Sequence, residues 1–218
     1  SAASDVYKRQ PLDNTNLALA GSELLTSAGL YKRSLYTAEV INRRIPSGLP
    51  HAFLPGSFRR LLYPRPYESI VAHQASRFGV DTALLTAIIR EESRVDPMAI
   101  SGASARGLNQ FVLPTAQRLA QKLDLGELHA SDLHDPEIAI TLGSAYLAEL
   151  ERFFAGNTLQ VVAAYNAGED VARLWLSYCF SQEPEEYFTK VGYRQTRAYL
   201  DKVLTSRAQY RDIYSEHD

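Results

Sequence analysis

The sequence predicts an all-α protein, and three observations carry that expectation. After Gln10 no stretch has the character of a buried strand. Apolar residues recur at helical spacing through most of the chain, and glycine and proline fall between the periodic runs, where helices stop and start. Helices are expected to cover well over half of the sequence.

Asn16 to Ala28 and Tyr31 to Arg44 are the first candidate helices, with Gly29 between them. Such a hairpin is the unit that stacks into helical solenoids, although one pair does not establish a repeat. Residues 46–66, PSGLPHAFLPGSFRRLLYPRP, hold five prolines and mark a boundary, with one short helix near Ser57 to Leu62. From Tyr67 the signals sharpen. Glu68 to Phe78 ends at Gly79, and Asp81 caps the helix of the segment DTALLTAIIREESR, residues 81–94. Gly102 and Gly107 frame the loop SGASARGLNQ, after which a helix begins near Pro114 or Thr115. Asp135, Pro136 and Glu137 supply a cap, a first-turn proline and a dipole-matched acid for a long helix to Phe154, which Gly156 stops. Thr158 is read as the cap of the next helix, and Gly168 as its close. Further helices are expected at Asp170 to Tyr178, Pro184 to Lys190 and Arg194 to Arg207.

Composition narrows the function classes. A chain of 218 residues, 45% hydrophobic, is large enough for one substantial core plus an appendage. The formal net charge of -2, with both signs mixed throughout, shows no basic field, so nucleic acid is not an expected partner. Cys179 is the single cysteine, which excludes an intramolecular disulfide and a cysteine-based metal site; it reads as a small buried hydrophobe. No run approaches the ~20 apolar residues of a membrane span. Ser1 to Gln10, SAASDVYKRQ, resembles the in-frame translation of a transposase sequencing adapter, so these residues are read as non-native. The natural chain is then expected to have begun upstream of Pro11, with any signal or anchor out of view.

Glu92 is the most informative position. At about 100° per residue, Leu84, Leu85, Ile88 and Ile89 point along a stripe whose centre falls within roughly 10° of Glu92, while Glu91 points about 90° away. A lone carboxyl in apolar surroundings has its charged form disfavoured and its pKa raised, which prepares it as a general acid near neutral pH. Glu91, beside Arg90 and Arg94, reads as solvated. The competing reading leaves Glu92 at a frayed, exposed helix end, because Asp96-Pro97 stops any helix soon after.

Three features stand with Glu92-Ser93 in order along the chain: the loop ending Gly107-Leu108-Asn109-Gln110, then Ala164-Tyr165-Asn166-Ala167-Gly168, then Gln195-Thr196-Arg197-Ala198-Tyr199. Each motif is weak alone. In this order and spacing they resemble the lytic transglycosylase domain of soluble murein-cleaving enzymes, whose fold is lysozyme-like. The family pattern is Glu-Ser, then Ser-x-x-Gly/Ala-Ala-x-Gly leading to Gly-Leu-Met-Gln, then Ala-Tyr-Asn-Ala-Gly, then Glu-Thr-Arg-x-Tyr. The resemblance covers about Tyr63 to Tyr214, and the preceding hairpin resembles the α-superhelical region of long family members. It implies residues 11–62 as a partial helical-repeat segment and 63–218 as the catalytic domain, with the adapter-like residues 1–10 set apart.

The resemblance also implies roles. Glu92 is expected to act alone, first as acid and then as base, at the β-1,4 bond between N-acetylmuramic acid and N-acetylglucosamine. The muramic C6 hydroxyl attacks C1 and leaves a 1,6-anhydro end, so neither activated water nor a second carboxylate is needed. The substrate's 2-acetamido group is expected to stabilise the oxocarbenium-like centre. Ser93, Gly107, Asn109, Gln110, Tyr165, Asn166, Gln195 and Tyr199 are the implied substrate-binding residues. Several have a plain structural alternative. Ser93 at a helix end can bond to local backbone, Gln110 can brace its loop, Asn166 can do either, and Tyr199 beside Leu200 and Val203 can be core. Asp96 is read as fixing the turn before Pro97 rather than serving as a second acid.

Two departures stand out. Asn109 replaces the family's usual methionine, a soft apolar floor, and Gln195 replaces its glutamate, keeping a hydrogen bond but not the charge. The implied partner is the peptidoglycan glycan strand, with no cofactor, no metal and a monomer as the expected state, in the periplasm or cell envelope. Two other readings share these residues: a goose-type lysozyme, which would need a base for its water, and a non-catalytic peptidoglycan-binding protein with a decayed site. For residues 11–62 a helical-repeat interaction module is a further alternative.

Overall fold

The structure is a computed structural model that describes residues 15–46, 49–181 and 183–214. Ser1 to Gln10 lie outside them. The described residues form two compact units that divide between Pro66 and Tyr67, at the end of the proline-rich stretch. The described residues contain α-helices, two short 3-10 turns and isolated β-bridges, and no β-strand.

In the first unit, α1 (Thr15–Ser27) and α2 (Tyr31–Asn42) form the expected hairpin about Gly29, which adopts a positive φ of 74°. Serines set the crossing. The fully buried Ser22 and Ser34 each donate a side-chain hydrogen bond to the other's carbonyl, at 3.0 and 2.9 Å, and residues this small let the two backbones come close. A 3-10 turn at His51–Phe53 precedes the short α3 (Gly56–Leu62).

The second unit holds α4 (Glu68–Phe78), α5 (Thr82–Ser93), α6 (Leu113–Lys122), α7 (Pro136–Phe153), α8 (Thr158–Ala167), α9 (Glu169–Leu176), α10 (Pro184–Lys190) and α11 (Arg194–Tyr214). A 3-10 turn at Asp132–His134 leads into α7. Helix α7 is the centre. Every residue from Ala139 to Leu147 is buried, as befits a helix surrounded by others. Its start follows the expected chemistry, with the Asp135 side chain accepting from the amides of Glu137 and Ile138 and Pro136 in the first turn.

Helix α5 packs chiefly against α11, and also against α4 and α7. Asp81 serves twice at its start: Oδ1 accepts from the Ala83 amide at 3.0 Å, while Oδ2 meets Arg207 Nε at 2.6 Å and Arg211 Nη2 at 2.8 Å on α11. The apolar stripe read from sequence is too narrow a description. Leu84 to Ile89 are all buried, including Thr86, whose hydroxyl donates to the Thr82 carbonyl, because neighbours cover α5 on more than one side.

Most helix limits fall within two residues of expectation, and two departures are informative. Asn157, not Thr158, caps α8, its side chain accepting from the Gln160 amide at 3.3 Å; an amide one residue earlier takes the capping place and Thr158 is already helical. Helix α11 runs to Tyr214 rather than Arg207, because no glycine or proline interrupts it and Tyr210 and Ile213 continue its buried face.

Candidate active site

Glu92 ends up near the C-terminus of α5, one residue before the helix closes. Arg94 and Val95 both take the left-handed conformation, with φ of 54° and 59°, and turn the chain sharply away. The helix is intact through Ser93, so Glu92 is not on a frayed end. Its side chain borders a cleft lined by Glu92, Asn109, Gln110, Phe111, Tyr165 and Asn166, with Val112, Thr115, Tyr146 and Gly168 completing the wall. The cleft measures about 250 Å³. That is just under the ~300–1,000 Å³ of small-molecule pockets, so it accommodates a short part of a long ligand.

The carboxylate is enclosed although the residue as a whole keeps some surface on the cleft. Burial pushes its pKa up from 4.5 to about 7; the Tyr199 hydrogen bond opposes the rise and the nearby Glu91 charge adds to it. Tyr199, itself buried on α11, donates its phenolic proton to Glu92 Oε1 at 2.6 Å. That short bond holds one carboxyl oxygen in place. Tyr199 and Tyr165 both have hydroxyls held well above the ordinary phenol range, first by burial and then by the Glu92 charge. Neither is a proton source by ionisation near neutral pH.

Glu91 corrects the helical-wheel reading. Its side chain is 12% exposed, pairs with Arg90 and accepts from Ser206 Oγ at 2.6 Å. Because α11 covers this face of α5, a position that looked solvated on an isolated helix is inside.

The loop between α5 and α6 is held by two isolated bridges, Ile100 to Arg106 and Arg106 to Phe111. Gly107 is required there. It has a φ of 73°, and a Cβ added to it would lie 1.7 Å from the Leu133 carbonyl oxygen. The close backbone approach it permits is thus to the 3-10 turn before α7. Gln110 lines the cleft, yet its amide donates to the carbonyls of Gly107 (2.9 Å) and Ala99 (3.3 Å), so it braces the loop. Ser93 is buried and donates to the Ile89 carbonyl at 3.0 Å, the local backbone partner expected of a serine at a helix end. Asp96 accepts from the Met98 amide at 3.0 Å and stabilises the turn at Pro97.

On the facing wall, Tyr165, Tyr146 and Phe111 form an aromatic cluster, with ring centroids 5.3 Å apart for the two tyrosines and 5.8 and 6.2 Å from Phe111 to Tyr146 and Tyr165. Asn166 Oδ1 accepts from Thr196 Oγ1 at 2.8 Å, which joins α8 to the start of α11. Gln195, the position expected to hold the site, is exposed instead. The next residue does the joining, since the two side chains point about 100° apart around the helix. Thus Glu92, Asn109, Gln110, Tyr165, Asn166 and Tyr199 are brought together, Gly107 and Ser93 hold the backbone beside them, and Gln195 is exposed and does not line the cleft.

Sequence reasoning missed Tyr146, Phe111 and Thr196. Phe111 was within reach, directly following Gln110, and Thr196 adjoins Gln195. Tyr146 gave no local sign, being one aromatic in the middle of an apolar helix. Glu169 was also passed over; its carboxylate neighbours Tyr146, whose hydroxyl is pushed up first by burial and then by that charge. Among the described residues, no cluster of three or more His, Cys, Asp or Glu side chains is arranged to hold a metal ion. No helix among them is long and apolar enough to cross a membrane.

An all-helical unit with one acid set in a tyrosine- and amide-lined cleft is a lysozyme-like helical domain. The chain belongs to the transglycosylase SLT domain family, whose model matches residues 69–188. It is similar to the soluble lytic murein transglycosylase of Escherichia coli, 29% identical over 151 residues, which covers 68% of this chain and 23% of that protein. It is also similar to the membrane-bound lytic murein transglycosylase C of Edwardsiella ictaluri, 33% identical over 168 residues, covering 67% of this chain and 47% of that protein. This chain therefore spans between about a quarter and a half of the length of these relatives. Among solved structures it resembles an inactive mutant of the lytic transglycosylase Slt from Pseudomonas aeruginosa, with a TM-score of 0.77 at 24% identity over 92% of this chain and 31% of that one.

Proposed function

We propose that the chain carries a peptidoglycan lytic transglycosylase. It cleaves the β-1,4 bond between N-acetylmuramic acid and N-acetylglucosamine and leaves 1,6-anhydro-muramic ends. The observation that carries this reading is that Glu92 is the sole carboxylate lining the cleft among the described residues, set where burial pushes its pKa up to about 7. A group with that pKa is half protonated at neutral pH and can serve in both directions.

In the acid step, protonated Glu92 gives its proton to the glycosidic oxygen as the C1–O bond breaks. The substrate's 2-acetamido oxygen stabilises the developing charge at C1. In the base step, the carboxylate takes the proton of the muramic C6 hydroxyl as that oxygen bonds to C1. Glu92 ends protonated and no water is consumed. Tyr199 fixes Oε1, which leaves the other carboxyl oxygen for proton transfer. Tyr165, backed by Tyr146 and Phe111, gives the cleft an aromatic wall for a sugar to lie against, and the Asn166 amide, its oxygen engaged by Thr196, has N–H groups left to donate. Residues 63–218 are then the catalytic domain, 11–62 part of a helical-repeat segment, and the glycan strand the partner. Since peptidoglycan lies outside the inner membrane, the periplasm or cell envelope is the place of action.

The test is to digest purified peptidoglycan and weigh the products. Anhydro-muropeptides, one water lighter than reducing-end products, support transglycosylation. Reducing ends would mean hydrolysis, with Glu169 the first carboxylate to substitute in search of the water's base, and absence of cleavage would mean a binding protein.

A further inference from the structure

Asn109 is 1% exposed at the back of the cleft, in a polar contact that its neighbours are shaped to admit. Its Nδ2 donates to the Tyr165 hydroxyl at 3.3 Å, and that hydroxyl donates back to the Asn109 main-chain carbonyl at 3.4 Å. A phenol has one proton to give. Once that proton is directed to the Asn109 carbonyl it is not offered to Glu92, which takes its hydrogen bond from Tyr199 instead. Tyr165 and Tyr199 are therefore held in different states of engagement.

Gly143 makes the room. It lies inside α7, where glycine is otherwise unfavourable, and a Cβ on it would fall 2.3 Å from Asn109 Nδ2 and 2.6 Å from Cγ. The other end of the amide is sacrificed: Asn109 Oδ1 is buried with no hydrogen-bond partner. A buried polar atom left unpaired is unfavourable, so what retains the residue is its N–H group. A thioether at this position has no such donor.

Building on the transglycosylase reading of this cleft, we propose that Asn109 is a positioning residue that clamps the Tyr165 hydroxyl through its amide and main-chain carbonyl, seated on Gly143. Tyr165 then presents a fixed ring to the ligand. The side chain of Asn109 acts through Tyr165 rather than by touching the sugar.

A double-mutant cycle tests this in the full chain. Asn109→Ala, Tyr165→Phe and the double variant are compared by thermal unfolding and by initial rates of soluble-product release from peptidoglycan. The expected result is that Asn109→Ala lowers kcat roughly tenfold, about the effect of one lost buried hydrogen bond, with KM changed less than about twofold. In the Tyr165→Phe background the same change has an effect under about twofold, on rate and on unfolding alike. Equal effects of Asn109→Ala in both backgrounds overturn the proposal. Should Asn109→Ala not fold, Tyr165→Phe alone decides: the clamp requires it to lower Tm by stranding Nδ2, and an unchanged or raised Tm refutes it. Gly143→Ala adds a check on the seat, lowering Tm in the parent and much less in Asn109→Ala. Because unfolding needs no substrate, a chain that cleaves no peptidoglycan still reports on the clamp, and failure of the enzymatic reading stays separate.

Discussion

Replacing Glu92 with glutamine gives the sharpest test of the buried acid, because it predicts opposite changes in activity and stability. The carboxyl titrates near 7 in the fold instead of 4.5, so ionising it inside the protein costs about 3 kcal/mol relative to the unfolded chain. A raised carboxylate pKa means that the folded state holds the proton longer than the unfolded state does. The contribution of Glu92 to stability is then highest below pH 4.5, declines as pH climbs from 4.5 to about 7, and is flat above that. Glutamine never ionises, and its amide oxygen can still accept from Tyr199. The Glu92→Gln variant should match the parent near pH 4 and exceed it by about 3 kcal/mol at pH 8, roughly 6–12 °C in Tm for a chain of this size. The assay is thermal unfolding of both proteins from pH 4 to 8, with release of soluble product from peptidoglycan measured alongside. Turnover should vanish. A Tm difference that stays constant across this pH range would refute the buried acid, and undiminished turnover would refute its role.

The remaining expectations concern its surroundings. Tyr199→Phe removes the bond that favours the ionised form of Glu92, so the limb of the pH–rate profile belonging to that group should move upward by about one pH unit, as seen in kcat/KM against pH. Glu91→Gln weakens the contacts with Arg90 and Ser206, and should cost about 1–3 kcal/mol in urea unfolding while leaving turnover largely intact. Gly107→Ala drives a Cβ into the Leu133 carbonyl at a positive φ, and should cost more than about 3 kcal/mol or prevent folding, as read from circular dichroism and urea titration. Gln195→Ala should leave kcat/KM within about twofold, whereas Thr196→Val frees the Asn166 amide oxygen and should lower it by roughly tenfold.

Helix ends were legible where a residue acts on its own backbone. Gly79 with its positive φ, Asp81 at the start of α5 and the Asp135-Pro136 pair at the start of α7 do their work within three residues of themselves. The loop glycine was legible as a special position, but what it lets approach was not, since Leu133 lies 26 residues further on. Asn157, passed over for Thr158 as the cap of α8, is the exception, and the other errors came where two elements meet. Glu91 was judged on a lone helix, and α11 decided its fate. Thr196 was not singled out beside Gln195, and its bond to Asn166 exists only because α8 and α11 meet there.

By itself the sequence determined an all-helical chain and singled out a candidate acid, because helix periodicity, capping and turn chemistry act over a few neighbouring residues. Only the tertiary structure decided that Tyr199, 107 residues away, holds Glu92, that Tyr146 joins the wall, and that Ser93 and Gln110 face backbone. Burial and hydrogen-bond partners belong to the packed arrangement of helices, and a carboxyl acquires its pKa from what surrounds it in space.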